Sequence, residues 1–150
     1  MQRAQFGVED AAQVLKSAGL RVTQQRLAVL MLLYQTPRHC TVEELYELLR
    51  QTTPAISLAT LYNTMKAFVD AGIAQELPFG DGPSRYDVNT EPHHHLVCDE
   101  CGEMIDITLP DPALTSAAQA HDFHIRSFHI EVRGVCAACA AKRERETFKR

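Results

Sequence analysis

Two pairs of cysteines, Cys98-x-x-Cys101 and Cys136-x-x-Cys139, limit this chain more than any other feature. A CxxC turn aims two sulfurs at one centre, and two such turns can close four thiolates around a single ion. Zinc is tetrahedral and favours thiolates, so a four-cysteine set fills its coordination sphere and leaves no open position for chemistry. The site is therefore structural and pins the C-terminal part of the chain. The alternative, two independent redox CxxC motifs, calls for a thioredoxin-like βαβ setting that the flanking sequence does not offer. Cys40 is left over and reads as a small core residue.

The opening residues MQRAQFGVEDAAQVL have no apolar core of signal-peptide length, and no run is long enough to span a membrane. The chain reads as cytoplasmic, where thiols stay reduced and serve as metal ligands rather than disulfides. With 150 residues, 45% hydrophobic and 23% charged, it has the composition of a soluble globular protein of two small domains joined by a short hinge.

Helical periodicity fills the first half. Val8, Ala11, Ala12, Leu15 and Ala18 recur at helical spacing and stop at Gly19. Thr23 caps a second helix, with apolar positions Leu27, Leu30, Met31, Leu33 and Tyr34 before the breaker Pro37. Thr41-Val-Glu-Glu44 has capping-box form and opens a third helix, whose face is Val42, Leu45, Tyr46, Leu48 and Leu49. After Pro54, Ser57 caps a fourth helix with an expected buried stripe of Leu58, Leu61, Tyr62, Met65, Phe68 and Val69, closed by Gly72. Its other face, Ala59, Thr60, Asn63, Lys66 and Ala67, is small and polar, which permits close approach to another surface.

The period then changes to two. Ile73–Phe79 and Arg85–Val88, joined by Gly80-Asp-Gly-Pro83, predict a β-hairpin with a longer loop. Helices followed at once by a hairpin form the layout of a winged helix-turn-helix, although a plain helical mini-domain with a hairpin shares the pattern. From residue 93 strands dominate: His93–Cys98, Met104–Leu109, and Phe128, Ile130, Val132 in alternation. Asp111-Pro112 starts a short alanine-rich helix, and a charged helix follows Cys139. These readings give an α+β chain with a domain over residues 1–88 and another over 89–150.

The formal net charge of -4 argues mildly against a nucleic-acid binder. Residues 1–84 hold seven Lys/Arg against eight Asp/Glu, and residues 85–150 eight against eleven, so the acidity lies mostly in the second part. Steering toward DNA would have to come from local clusters and from doubling in a dimer.

A second constellation comprises His39, Asp87, His93, His95 and Asp106. On a strand, His93 and His95 project to the same face, while Ile105, Ile107 and Leu109 alternate against Asp106. Mixed imidazole and carboxylate ligation suits Mn(II) or Fe(II), with zinc as a competitor. On spacing alone the same residues also fit a solvated surface cluster. His94, His121, His124 and His129 read as surface residues or supports of the site.

Six segments taken together resemble the ferric uptake regulator family: RVTQQRLAVL at 21–30, HCTVEELY at 39–46, SLATLYNTMKAF at 57–68, SRYD at 84–87, HHHLVCDECGEMIDI at 93–107 and GVCAAC at 134–139. The likeness is greatest to the peroxide-responsive and manganese-responsive branches, where aspartates such as Asp87 and Asp106 replace the glutamate common in iron-uptake regulators. The resemblance implies an N-terminal winged helix-turn-helix domain followed by a small α/β dimerisation domain with structural zinc on Cys98, Cys101, Cys136 and Cys139. It places His39, Asp87, His93, His95 and Asp106 as ligands of a regulatory Mn(II) or Fe(II). DNA contacts would fall to Thr60, Tyr62 and Asn63 on the recognition helix, with Lys16 and Arg21 near the backbone or minor groove. The chain departs from the family's Thr-Pro-Gln-Arg at Thr23-Gln24-Gln25-Arg26, and an additional metal site of some members is not expected, because its positions hold Pro92, His94, Ala113 and Phe128.

The function implied is a metal-dependent transcriptional repressor that binds palindromic operator DNA as a homodimer and controls metal homeostasis, the peroxide stress response, or both. Divalent metal would act as corepressor by favouring a closed dimer whose recognition helices match successive major grooves. Loaded with Fe(II), the site could be oxidised by peroxide at His39 or His93. A rival reading is a zinc-dependent hydrolase using the histidine/aspartate set, but five protein ligands leave little room for a reactive water.

Overall fold

The computed structural model describes residues 5–36, 39–79, 82–110, 112–126 and 128–149. Pro37, the hairpin tip at Gly80 and Asp81, and Asp111 lie outside them. The chain divides into two compact units, Met1–Thr90 and Glu91–Arg150. The fold is mixed helix and sheet, a winged helix-turn-helix followed by a small α/β unit.

In the first unit α1 (Val8–Ser17), α2 (Gln24–Gln35), α3 (Val42–Leu49) and α4 (Leu58–Asp70) precede the hairpin β1 (Gln75–Phe79) and β2 (Gly82–Asp87). Each helix begins or ends where its local chemistry dictates. The Thr23 and Ser57 hydroxyls accept from the amides of Arg26 and Thr60, satisfying donors that the first turn leaves unpaired. Thr41 and Glu44 form the reciprocal capping box of α3, with bonds of 3.1 and 2.9 Å. Gly19 and Gly72, which follow α1 and α4, both take φ +75°, a left-handed conformation that a β-carbon disfavours. Leu15, Leu30, Leu45, Leu61, Met65 and Phe68 are fully buried in one core shared by all four helices. Cys40 joins that core as a small apolar residue.

The stripe of α4 differs from expectation. Leu61, Thr64, Met65 and Phe68 point inward, whereas Leu58 and Tyr62 are exposed. Thr64 can be buried because its hydroxyl donates to the Thr60 carbonyl at 2.9 Å. Tyr62 can face outward because its hydroxyl donates to the Glu43 carboxylate in the first turn of α3.

The second unit holds β3 (His94–Cys98), β4 (Met104–Ile107), α5 (Pro112–Gln119), β5 (Glu131–Gly134) and α6 (Ala137–Phe148). Its sheet has the order β4-β3-β5, antiparallel on one side and parallel on the other. The parallel pairing needs a crossover, which β4 and α5 supply. The third strand starts later than the alternation Phe128, Ile130, Val132 predicts. The Ile130 amide donates to Nδ1 of His94 at 3.1 Å, so that amide is diverted from the ladder and regular pairing begins at Glu131. The last helix starts earlier than expected, at Ala137, with Cys136 at its N-cap position and Cys139 in its first turn.

Candidate metal centres and nucleic-acid face

In the second unit the register of β3 sets the chemistry. Val97 and Cys98 are buried near the end of the strand, Cys101 follows in a turn, and Cys136 and Cys139 arrive on the first turn of α6. One sulfur from each cysteine lies within 4.8 Å of the other three. Zn–S bonds of about 2.3 Å in a tetrahedron require sulfurs about 3.8 Å apart. The Cys101 and Cys136 sulfurs, from different CxxC pairs, are 3.8 Å apart. The four thiols thus form one centre rather than two separate redox motifs, and they fit the structural zinc the spacing implied.

The electrostatics of the metal-free thiols agree. Backbone amides of Cys101 and Cys136 point at the Cys98 sulfur and bring its pKa down to about 7. Hydrogen bonding with Cys136, then burial, pushes Cys139 up to about 12. The cluster holds protons that a metal must replace. Arg133 braces the first CxxC turn, reaching Asp99 at 2.8 Å and Glu131 at 2.7 Å, and Arg143 of α6 pairs with Glu100.

The same strand carries His95 of the histidine/aspartate set, with His93 just before it and Asp106 on β4. His95 pairs directly opposite Asp106 in the β3/β4 ladder. Nε2 of His95 lies 3.3 Å, and Nε2 of His93 3.8 Å, from the same Asp106 oxygen. Nδ1 of His93 is 2.6 Å from the Glu91 carbonyl. A carbonyl can only accept, so Nδ1 donates to it and fixes the ring with Nε2 toward the carboxylate, the ring orientation that a metal-ligating imidazole adopts. His94 was expected at the surface or beside the site. It is instead 4% exposed, accepts from Ile130, and packs on Phe128 with ring centroids 5.0 Å apart. His129 stands 5.1 Å from the His95 ring, a neighbour that sequence spacing gave no means of finding.

In the first unit His39 and Asp87 meet although 48 residues separate them. Nε2 of His39 is 2.9 Å from one Asp87 oxygen, and the other accepts from the Asn89 amide at 2.9 Å. Both residues are buried, which a solvated surface pair would not be. Nitrogen and carboxylate oxygen form the donor set expected for Mn(II) or Fe(II).

The remaining candidates lie in the first unit. Arg21, Arg26, Thr60, Asn63 and Thr64 line one polar depression between the start of α2 and α4. Arg26, which sequence reading did not single out, donates to the Arg21 carbonyl at 2.8 Å and so shapes the loop ahead of α2. Lys16 is exposed in the last turn of α1, and Tyr62 and Asn63 are exposed on α4. No helix among the described residues is long and apolar enough to cross a membrane.

A winged helix-turn-helix joined to a zinc-pinned α/β unit, with imidazole and carboxylate pairs on both, defines the class of metal-responsive transcription regulators. The ferric uptake regulator family profile matches residues 17–133, and the chain belongs to that family. It is similar, with 36% identity over 144 residues, to a peroxide-responsive repressor of Staphylococcus saprophyticus, covering 95% of this chain and 97% of the relative. The solved ferric uptake regulator of Vibrio cholerae aligns with TM-score 0.72 and 36% identity over 83% of this chain and 98% of that one. A zinc-bound manganese uptake regulator aligns with TM-score 0.68 and 34% identity over 84% and 98%. The protein is a metal-dependent transcriptional repressor, with a four-cysteine group and a histidine/aspartate group as its candidate metal sites. The hydrolase reading finds no support among these relatives.

Proposed function

We propose that the chain works in the cytoplasm as a homodimer that binds palindromic operator DNA through residues 1–88 and dimerises through 89–150. His39, Asp87, His93, His95 and Asp106 together form its regulatory site. The observation that carries this is the division of the ligand set: an imidazole–carboxylate pair on the first unit, and two imidazoles with one carboxylate on the second. Each is an incomplete site for an ion that takes five or more nitrogen and oxygen donors. A bound Mn(II) or Fe(II) supplies the charge and directional bonds that would hold both units in one arrangement. The Glu91 carbonyl orients the His93 ring, and the Asn89 amide orients the Asp87 carboxylate.

Support for a homodimer comes from the sheet. Leu96 pairs with Ile105 on one side and Val132 on the other, so three apolar residues stand in a row across the strands, and all three are exposed. Two copies of such a row are self-complementary under a twofold axis. On the DNA side, Thr60 and Asn63 on α4 offer polar groups to base edges, Tyr62 an aromatic ring, and Lys16 and Arg21 charges to phosphates.

Full-length similarity to a peroxide-responsive repressor favours a second reading, in which the loaded site also reports peroxide. Peroxide would then transfer one oxygen atom to an imidazole carbon of His39 or His93 and leave as water. Oxidation would remove a ligand and release DNA.

His93→Ala decides the site. It should abolish metal-dependent operator binding while leaving zinc content and dimer mass unchanged. A variant with an unaltered Mn(II) requirement removes the five residues from metal sensing. Mass spectrometry after peroxide treatment of Fe(II)- and Mn(II)-loaded protein separates the two readings, because oxygen should add to His39 or His93 only with iron.

A further inference from the structure

The first unit contains a partly buried arginine that the repressor mechanism above does not use. Arg85 lies on β2 two residues before Asp87, and its side chain is 18% exposed. One guanidinium nitrogen donates to the His39 carbonyl at 2.7 Å and reaches the Glu44 carboxylate at 3.5 Å. Glu44 is the capping-box residue of α3 and accepts from the Thr41 amide. Beside it, Glu43 accepts from the hydroxyl of Tyr62 on α4. Polar contacts therefore join the His39 carbonyl to Glu44 through Arg85, and Glu43, the chain neighbour of Glu44 in the first turn of α3, to Tyr62 on the exposed face of α4.

The segment holding His39 is fastened to β2 at two further points. The Tyr86 amide donates to the Cys40 carbonyl at 2.9 Å, and His39 bonds to Asp87. A force that moves His39 against Asp87 is thus applied at both ends of a short, closed loop of contacts with Arg85 at its centre. Arg85 is suited to this because a guanidinium offers several donors in a fixed plane.

We propose that Arg85 is the positioning residue that couples occupancy of the His39/Asp87 half-site to the DNA-reading face of α4. The inference rests on the regulatory-site reading given under Proposed function. Arg85 is neither a metal ligand nor a DNA contact; it sets how much the one changes the other. Coupling energies between sites correspond to roughly 5–150-fold changes in affinity.

The test measures operator affinity with and without Mn(II) for the full-length, zinc-loaded wild-type protein and for Arg85→Gln. The probe is a duplex selected by the Mn(II)-loaded wild-type protein from a random pool. Mn(II) uptake is measured separately by equilibrium dialysis. In Arg85→Gln the metal-induced gain should fall from the wild-type value to about threefold or less, with Mn(II) still bound and metal-free affinity little changed. A merely structural role would weaken both affinities alike and keep their ratio, which overturns the proposal. Should Arg85→Gln fail to fold, Glu44→Gln decides: it retains an acceptor for the Thr41 amide but loses the charge facing Arg85, and an unchanged ratio there is equally fatal. If wild-type protein shows no metal-induced gain, the regulatory-site reading itself falls, and this inference with it.

Discussion

The two units of this protein are stabilised by different means. The first buries Leu15, Leu30, Leu45, Leu61, Met65 and Phe68 completely and closes over them with four capped helices. The second leaves both its helices without a buried residue, and exposes Leu96, Ile105, Phe123, Phe128 and Val132. A unit of this size buries too little apolar surface to stand alone and needs metal, disulfides or a partner. Four converging thiols and an apolar row across the sheet are the features that answer this need. Of the five proposed regulatory ligands, two lie on a body set by its own core and three on the body where the four thiols converge.

The largest effect should come from Cys98→Ser. Structural zinc contributes roughly 10–16 kcal/mol to folding in small zinc domains, so the second unit should unfold and the dimer dissociate. The first unit should retain its helical circular dichroism and a separate melting transition. Retention of zinc and dimer mass in this variant would break the comparison. Phe68→Ala should do the reverse, costing the first unit about 3–5 kcal/mol in denaturant melts while zinc content stays the same.

Leu96→Asp, in the middle of the exposed row, should weaken dimerisation by on the order of 3 kcal/mol, read by analytical ultracentrifugation, and leave each unit folded. The thiol chemistry sharpens the zinc argument. Zinc binds all four sulfurs as thiolates, so each proton still held by the metal-free site must leave on binding. Apparent zinc affinity should rise with pH, about tenfold per unit for each proton released. Cys98, brought down to about 7, stops contributing above that pH, whereas Cys139, pushed up to about 12, contributes throughout the physiological range. Chelator competition at several pH values reads the slope, and a flat profile would contradict the assignment. The smallest effect belongs to Lys16→Ala, which should lower the salt slope of DNA binding by about 1 without altering sequence preference.

Much of this was readable from neighbouring residues. Thr23, Thr41 and Ser57 announced helix starts because capping depends on an oxygen and an amide three residues apart. Gly19 and Gly72 announced helix ends, and paired CxxC turns announced zinc, because both are local geometry. Strand alternation put His93 and His95 on one face, and the register of β3 against β4 set His95 opposite Asp106.

Other features were decided only when distant segments packed. Periodicity placed Tyr62 in the core, but Glu43 of another helix drew its hydroxyl outward. His94 looked like a surface histidine until the Ile130 amide, 36 residues away, claimed its ring nitrogen and delayed the start of β5. The meeting of His39 with Asp87, and of Arg85 with both His39 and Glu44, depends on how the hairpin docks against α3. Local backbone chemistry is encoded within a few residues and can be read one turn at a time. The partner of a buried polar group is chosen by the packed core, because only tertiary contact brings together groups far apart in sequence and removes the water that would otherwise satisfy each of them.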